Sequence, residues 1–189
     1  MRLYGDRVTQ APSNDQRLNV LFVCTANICR SAYATVRAQQ LLAADAPVTV
    51  GSAGTHGWLD HPMDAPMAAE ARSRGADPDA FRSRRLTGAL VADADLLLTA
   101  ESRHRDFVLD EWPAAVRRTF TLKQFAEIAD AAPHLDARAL LAEAHRARRP
   151  VRASGDVLDP YGRGPEAAAT TAAQLDALLA VILPRLAAR

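Results

Sequence analysis

The sequence predicts a single α/β domain built on a parallel sheet. Three observations carry that expectation. Short apolar runs alternate with longer amphipathic stretches from Asn19 to Leu186, the pattern of strands joined by helical crossovers. Leu96-Leu97-Leu98 is continuously apolar, as in a strand buried on both faces. And Val20-Leu21-Phe22-Val23 runs through a short loop, Cys24 to Arg30, directly into the amphipathic stretch Ser31–Leu42. A strand that turns tightly into a helix directs backbone N–H groups and the positive end of the helix dipole at one spot, which makes an anion site.

Taken in order, residues 1–17 are polar and aperiodic and read as a flexible leader, with the domain spanning 18–189. Asn19–Val23 is the first strand and Ser31–Leu42 the first helix, with Ser31 as its N-cap. Val48–Ser52 is the second strand, followed by a loop of small residues, Gly51–Gly57. Pro66–Arg74 is a short helix with Pro66 in its first turn. Arg82–Arg85 is a basic cluster, read as solvated loop, with a substrate-attracting rim as the alternative. Thr87–Val91 is a helical turn, Asp95–Thr99 the third strand and Glu101–Asp110 a helix. Asp93 and Asp95 read as loop and cap residues.

Arg117–Thr121 is the fourth strand. Leu122–Ile128 and Leu135–Arg148 are helices, and the Arg-rich end of the second (146–152) reads as a solvated terminus. Pro165–Leu186 closes the chain, with Leu175, Leu178, Leu179, Ile182 and Leu186 on one side. Pro184 is expected to fray or kink its last turn.

The 189 residues, 49% of them hydrophobic, suffice for one domain with a substantial core. A net charge of +1 excludes a strong overall field for nucleic acid or membranes. Lys123 is the only lysine. Both cysteines lie in the loop after the first strand, so a disulfide scaffold is excluded. A working thiol there implies a reducing compartment, and a cytoplasmic protein is expected. No signal peptide and no apolar run long enough to cross a membrane are read from the sequence. The five histidines do not cluster, so neither a metal nor a cofactor is expected.

The chemistry is concentrated in that loop. Five residues separate Cys24 from Arg30, enough to curl around a tetrahedral anion. Arg30 carries a planar fork suited to two phosphate oxygens. Cys24 stands at the mouth of a positive field that favours thiolate over thiol, which describes a nucleophile. Asn27, mid-loop, tolerates a left-handed backbone, and the Ser31 hydroxyl is within reach of the Cys24 sulfur. A lone cysteine beside a surface arginine would be unremarkable; strand, loop and helix together favour the site. Downstream, Asp159-Pro160-Tyr161-Gly162 supplies a candidate acid in a turn. Taken alone, that segment reads as a turn and nothing more.

Val20-Leu21-Phe22-Val23-Cys24-Thr25-Ala26-Asn27-Ile28-Cys29-Arg30-Ser31 resembles the signature of the low-molecular-weight protein tyrosine phosphatases, bacterial type. The segments Ser52-Ala53-Gly54-Thr55, Arg85-Leu86-Thr87, Asp95 to Thr99 and Asp159-Pro160-Tyr161 follow in that family's order. Ala26 stands where the family usually has Gly, Ala32 where it has Pro, and Thr25 where a larger apolar residue is common. The Ala26 departure bears on loop strain wherever φ is positive, and with Ala32 on catalytic rate.

The resemblance implies a four-stranded parallel sheet of order 2-1-3-4, helices on both faces, and Cys24 at the topological switch point. It implies metal-independent hydrolysis of phosphotyrosine in proteins through a phosphocysteine. Cys24 is then the nucleophile, and Arg30 with the loop Thr25, Ala26, Asn27, Ile28, Cys29 and Ser31 the phosphate cradle. Asp159 is the acid, Trp58 and Tyr161 are slot walls, and Cys29 is a redox partner for Cys24. The expected partners are phosphotyrosine proteins, a tyrosine kinase among them, without nucleic acid or membrane. A monomer or weak dimer is expected. Two alternatives stay open: an arsenate reductase of this fold using a small thiol, and a non-catalytic phosphate-binding or redox-sensing module.

Overall fold

A computed structural model of the chain describes residues 17–147 and 155–188. The leader, apart from Arg17, and the Arg-rich stretch beyond Ala147 lie outside the described residues. The chain runs β1 (Leu18–Cys24), α1 (Arg30–Leu41), β2 (Val48–Gly54), α2 (Ala65–Ser73), α3 (Gly88–Asp93), β3 (Leu96–Thr99) and α4 (Ser102–Glu111). A 3-10 turn (Pro113–Arg118), β4 (Thr119–Thr121), α5 (Leu122–Ala131), α6 (Ala137–Arg146) and α7 (Gly164–Ala187) follow.

The four strands form one sheet, order β2-β1-β3-β4, parallel throughout. The expected fold class and strand order therefore hold. Register puts Cys24 beside Gly54, and Val23 beside Thr99, at the carboxyl edge. β1 is central and buried on both sides. Val20 and Phe22 face a core made with α1, α2, α5, α6 and α7. Leu21 and Val23 face a smaller one with Leu86, Val91, Val108 and Ala115. That two-sided burial is why β1 reads as an unbroken apolar run rather than an alternation. At its amino end, the Asn19 amide donates to Asp95 Oδ2 (2.8 Å) and Asn19 Nδ2 to Asp93 Oδ2 (2.6 Å). The two aspartates thus bolt the crossover before β3 to β1 rather than serving as simple caps.

Several boundaries move. β2 continues to Gly54, because the Gly54 amide donates to Arg84 O and Gly54 O accepts from Leu86 N; the loop of small residues begins only after it. Arg117 and Arg118 belong to the 3-10 turn started by Pro113, which shortens β4 to three residues. α6 starts at Ala137, capped by Asp136 Oδ1 on the Ala139 amide. α1 starts at Arg30 with Cys29 in the cap position, so Ser31 is not the N-cap. Pro184 does not end α7. The helix continues to Ala187, and Pro184 and Ala180, whose carbonyl the proline leaves without a donor, both lie on the exposed side.

The expectation that no segment reaches membrane-spanning length is also corrected. α7 is long and apolar enough by length and composition. In this fold its Leu175, Leu179, Ile182, Leu183 and Leu186 are buried against neighbouring helices, as in the core helix of a globular domain.

Candidate active site

The loop between β1 and α1 is held open from outside. Four of its carbonyls are taken by amides of neighbouring segments: Cys24 O by Thr55, Thr25 O by His56, Ala26 O by Trp58 and Ile28 O by Asp64. The first amides of α1 have no intrahelical acceptor and close the other side. Asn27 takes the left-handed conformation (φ 60°), as its residue type suggested. Its Nδ2 donates to Ser31 Oγ (2.8 Å) and Ser52 Oγ (2.9 Å), while Oδ1 accepts from the Arg84 amide (2.9 Å). Ala26 is not among the left-handed residues, so the absence of glycine there brings no backbone strain. Ser31, freed from capping, lies 2.9 Å from the Cys24 sulfur.

Two glycines allow this clamp. A Cβ on Gly54 would sit 2.4 Å from Thr25 O, and one on Gly57 would sit 2.4 Å from Arg84 O. Arg82, Arg84 and Arg85 of the basic cluster are all exposed, as expected of a solvated loop, and Arg84 in addition braces the anion loop through its amide and donates from Nε to Ser52 O (2.8 Å).

Arg30 is 2% exposed. Its Nη1 donates to Glu101 Oε1 and to Val157 O (3.2 Å), and its Nη2 pairs with Asp159 Oδ2 at 3.1 Å. Burial pushes the Glu101 carboxyl up, but the Arg103 and Arg30 guanidiniums outweigh it and hold Glu101 below the usual carboxylate range. Beside it, His104 Nε2 lies 2.8 Å from Thr25 Oγ1. Burial, with Arg30 second, lowers the His104 pKa to about 4, so the ring is neutral near pH 7. Glu101 and His104 were not singled out from the sequence. The available signal was position: both follow β3, the strand next to Cys24, at the carboxyl edge.

The acid loop is fixed by its backbone. Val157 N donates to Ala100 O, and Asp156 accepts from the Ser102 amide and hydroxyl. Leu158 O accepts from Thr171, and Leu158 N donates to Gln174 Oε1. Asp159 is thereby presented to a cavity of about 250 Å³, lined by Cys24, Thr25, Ala26, Ile28, Cys29 and Arg30 from the loop and by His56, Trp58, Asp159 and Tyr161. The Trp58 and Tyr161 rings meet edge to face, centroids 6.0 Å apart. Among the described residues, no group of three His, Cys, Asp or Glu side chains is placed to hold a metal ion.

The family model for low molecular weight phosphotyrosine protein phosphatases matches residues 19–137, from β1 to the start of α6. The chain belongs to that family. These phosphatases are hydrolases, and related solved structures share the fold described above.

The low molecular weight protein-tyrosine-phosphatase Etp of Escherichia coli K12 is 36% identical over 110 residues, 58% of this chain and 72% of Etp. A protein-arginine-phosphatase of Geobacillus stearothermophilus is 30% identical over 145 residues, 76% and 78% of the two chains. Among solved structures, the YwlE arginine phosphatase of that organism superposes with a TM-score of 0.70 at 25% identity, covering 89% of this chain and 92% of its own. Vibrio vulnificus Wzb, in complex with benzylphosphonate, superposes with 0.65 at 25%, covering 86% and 94%.

Every sequence-expected site residue of this phosphatase lies at or beside the cavity. Cys24 and Cys29 are both buried free thiols. Burial, then Asp64, raises the Cys29 pKa, so Cys29 stays a thiol. Asp64 is itself raised by burial. His56, given no role from the sequence, also lines the cavity, with its ring 5.4 Å from Phe107.

Proposed function

We propose that this phosphatase hydrolyses phosphotyrosine in proteins through a phosphocysteine intermediate, without a metal. The observation that carries the reading is the convergence of Cys24, Arg30 and Asp159 on one cavity walled by Trp58 and Tyr161. Arg30 and the loop amides hold the equatorial phosphate oxygens and stabilise their charge. The Cys24 thiolate attacks phosphorus and forms the S–P bond as the bond to the tyrosine oxygen breaks. Asp159 donates its proton to that oxygen, because a phenolate whose conjugate acid has a pKa of about 10 leaves poorly unprotonated. Water then attacks the phosphocysteine, Asp159 takes a proton from it, and Cys24 leaves as thiolate beside inorganic phosphate. A thiol nucleophile works best where thiols stay reduced, which supports a cytoplasmic setting.

The Geobacillus relative motivates a second reading, a phosphoarginine substrate. The cavity lining favours the first. Two aromatic rings suit a phenyl group, whereas a guanidinium needs several acceptors, and among the described lining residues Asp159 is the only carboxylate.

The test is hydrolysis of p-nitrophenyl phosphate, a phosphotyrosine peptide and a phosphoarginine peptide in chelator, by wild type, Cys24→Ser and Asp159→Asn. Cys24→Ser is expected to be inactive. Asp159→Asn is expected to lose about 10²- to 10⁴-fold on the tyrosine peptide, and less on p-nitrophenyl phosphate, whose leaving group needs less protonation. Phosphoarginine turnover exceeding phosphotyrosine turnover would transfer the assignment to the second reading.

A further inference from the structure

Few large apolar side chains of the described residues are exposed. They are Leu41, Trp58, Leu59, Val116, Leu158 and Tyr161. Trp58 and Tyr161 are the slot walls, Leu59 follows the first wall, and Leu158 precedes the acid. Four of the six therefore lie on the two segments that carry the slot walls and the acid, Leu59 and Leu158 each bonded directly to a residue that lines the cavity. Contiguous exposed apolar area rimmed by polar residues marks an interaction surface.

Neither leucine is exposed through slackness. Leu59, 70% exposed, sits on a turn braced by one serine. Ser83 Oγ donates to Trp58 O (2.8 Å) and accepts from the His61 amide (3.0 Å), while Ser83 O accepts from Asp60 N and Ser83 N donates to His61 O. Within that turn Asp60 adopts φ 62°, a left-handed conformation that costs energy for a residue with a Cβ. The Trp58 and His61 rings pack at 5.1 Å. Leu158, 56% exposed, has its amide on Gln174 and its carbonyl on Thr171, both on α7. In each case hydrogen bonds hold the backbone at both flanks, and the side chain remains in solvent, next in the chain to a residue that lines the cavity.

We propose that Leu59 and Leu158 form an apolar rim that reads the residues on either side of the phosphorylated side chain. The substrate is then a polypeptide segment with large apolar neighbours at the phosphorylated position. This rests on the phosphotyrosine reading above and extends it to substrate choice. The slot admits the phosphorylated ring, and the rim covers apolar flanks that a free phosphate ester lacks. Leu59 is bonded to Trp58 and Leu158 to Asp159, both of which line the cavity, and that adjacency argues for the substrate chain as occupant.

The experiment compares two phosphotyrosine peptides of equal length and charge, one with leucine and one with serine flanking the phosphotyrosine, against p-nitrophenyl phosphate. Enzymes are wild type, Leu59→Ser, Leu158→Ser and the double variant, and each peptide kcat/KM is divided by that enzyme's own value for p-nitrophenyl phosphate. Wild type is expected to favour the leucine-flanked peptide by about tenfold, the scale of burying part of two leucine side chains. Each single variant should lose about threefold of that preference and the double variant nearly all of it, mainly in KM.

A wild type without flank preference, or a preference that survives in the double variant, overturns the rim. So does sedimentation velocity showing a wild-type dimer at assay concentration that the double variant abolishes, with no flank preference, since the patch is then a self-interface. If p-nitrophenyl phosphate and both peptides are untouched, the phosphatase reading falls and the rim with it. Turnover without discrimination overturns the rim alone.

Discussion

Replacing Glu101 by glutamine removes one negative charge from the ion pair that holds Arg30, while the side-chain oxygen can still accept from Nη1. Arg30 is almost fully buried and Glu101 only 13% exposed, so solvent screens the pair little. Breaking a buried pair outright costs about 3–5 kcal/mol. Here Asp159 remains on Nη2 at 3.1 Å and the hydrogen bond persists, so the loss should be about 2 kcal/mol. For a chain of this size that lowers Tm by about 4–8 °C.

The same change should alter kinetics in a specific direction. With Glu101 neutral, Asp159 is the only carboxylate left on the guanidinium and is held more tightly. It is then less available to protonate a leaving group. We expect kcat on a phosphotyrosine peptide to fall about tenfold, and inhibition by inorganic phosphate to tighten because Arg30 carries less compensated charge. The sign with pH is also fixed. The Glu101 carboxyl is held low when folded, so its stabilisation is complete above the ordinary carboxylate range and disappears as pH falls through the folded value. Thermal melts from pH 3 to 8 and steady-state kinetics read all three effects. A Glu101→Gln enzyme that melts, turns over and binds phosphate like wild type would falsify the claim that this pair organises Arg30.

Other expectations follow from neighbouring contacts. His104 is neutral in the fold down to a pKa of about 4, whereas an unfolded histidine titrates near 6.5. The unfolded chain therefore binds the extra proton first, and stability should decline as pH falls from about 6.5 to 4, by on the order of 3 kcal/mol. His104→Gln should flatten that part of a denaturation-versus-pH curve, and an unchanged slope would show that other groups produce it. Gly54→Ala places a methyl against Thr25 O, so the loop must shift. We expect about 1–3 kcal/mol lost in urea unfolding with kcat reduced more than KM, and wild-type kinetics would refute the clamp. If Cys29 is the redox partner of Cys24 that the family resemblance implies, mild peroxide should inactivate wild type reversibly, with dithiothreitol restoring activity. Cys29→Ser should be inactivated for good, and equal recovery in both would remove Cys29 from that role.

The parts of this molecule that were legible in sequence are those specified by local chemistry. The unbroken apolar run of β1 announced two-sided burial, and Asn27 announced a left-handed turn. The Cys24–Arg30 spacing, between a strand and a helix, announced an anion loop. What was not legible depends on partners distant in the chain. Ser31 read as a cap because serine caps helices, but its hydroxyl has better partners in Cys24 and Asn27. Arg84 read as solvent-facing and is exposed, but nothing nearby in sequence reveals its bonds to Asn27 and Ser52. Glu101 is separated from Arg30 by 71 positions, and only the adjacency of β1 and β3 brings them together. Pro184 was expected to disturb α7, yet a proline on an exposed helix face leaves its orphaned carbonyl to solvent.

The seat of Asp159 on Arg30 Nη2 has a consequence for turnover. In the proposed reaction a phosphoryl dianion must take that side of the guanidinium, so the enzyme carries its own competitor for the anion. The competitor is tethered and present at a fixed effective concentration whatever the cell contains. It weakens the hold on free phosphate. As the product departs, Asp159 releases to solvent the proton it took from water, and its carboxylate returns to the Nη2 side it had vacated, so that Glu101 on Nη1 is not left as the sole counter-charge of the buried guanidinium. The residue that gives a proton in the first half of the cycle thus also serves as the counter-ion that lets the cycle end.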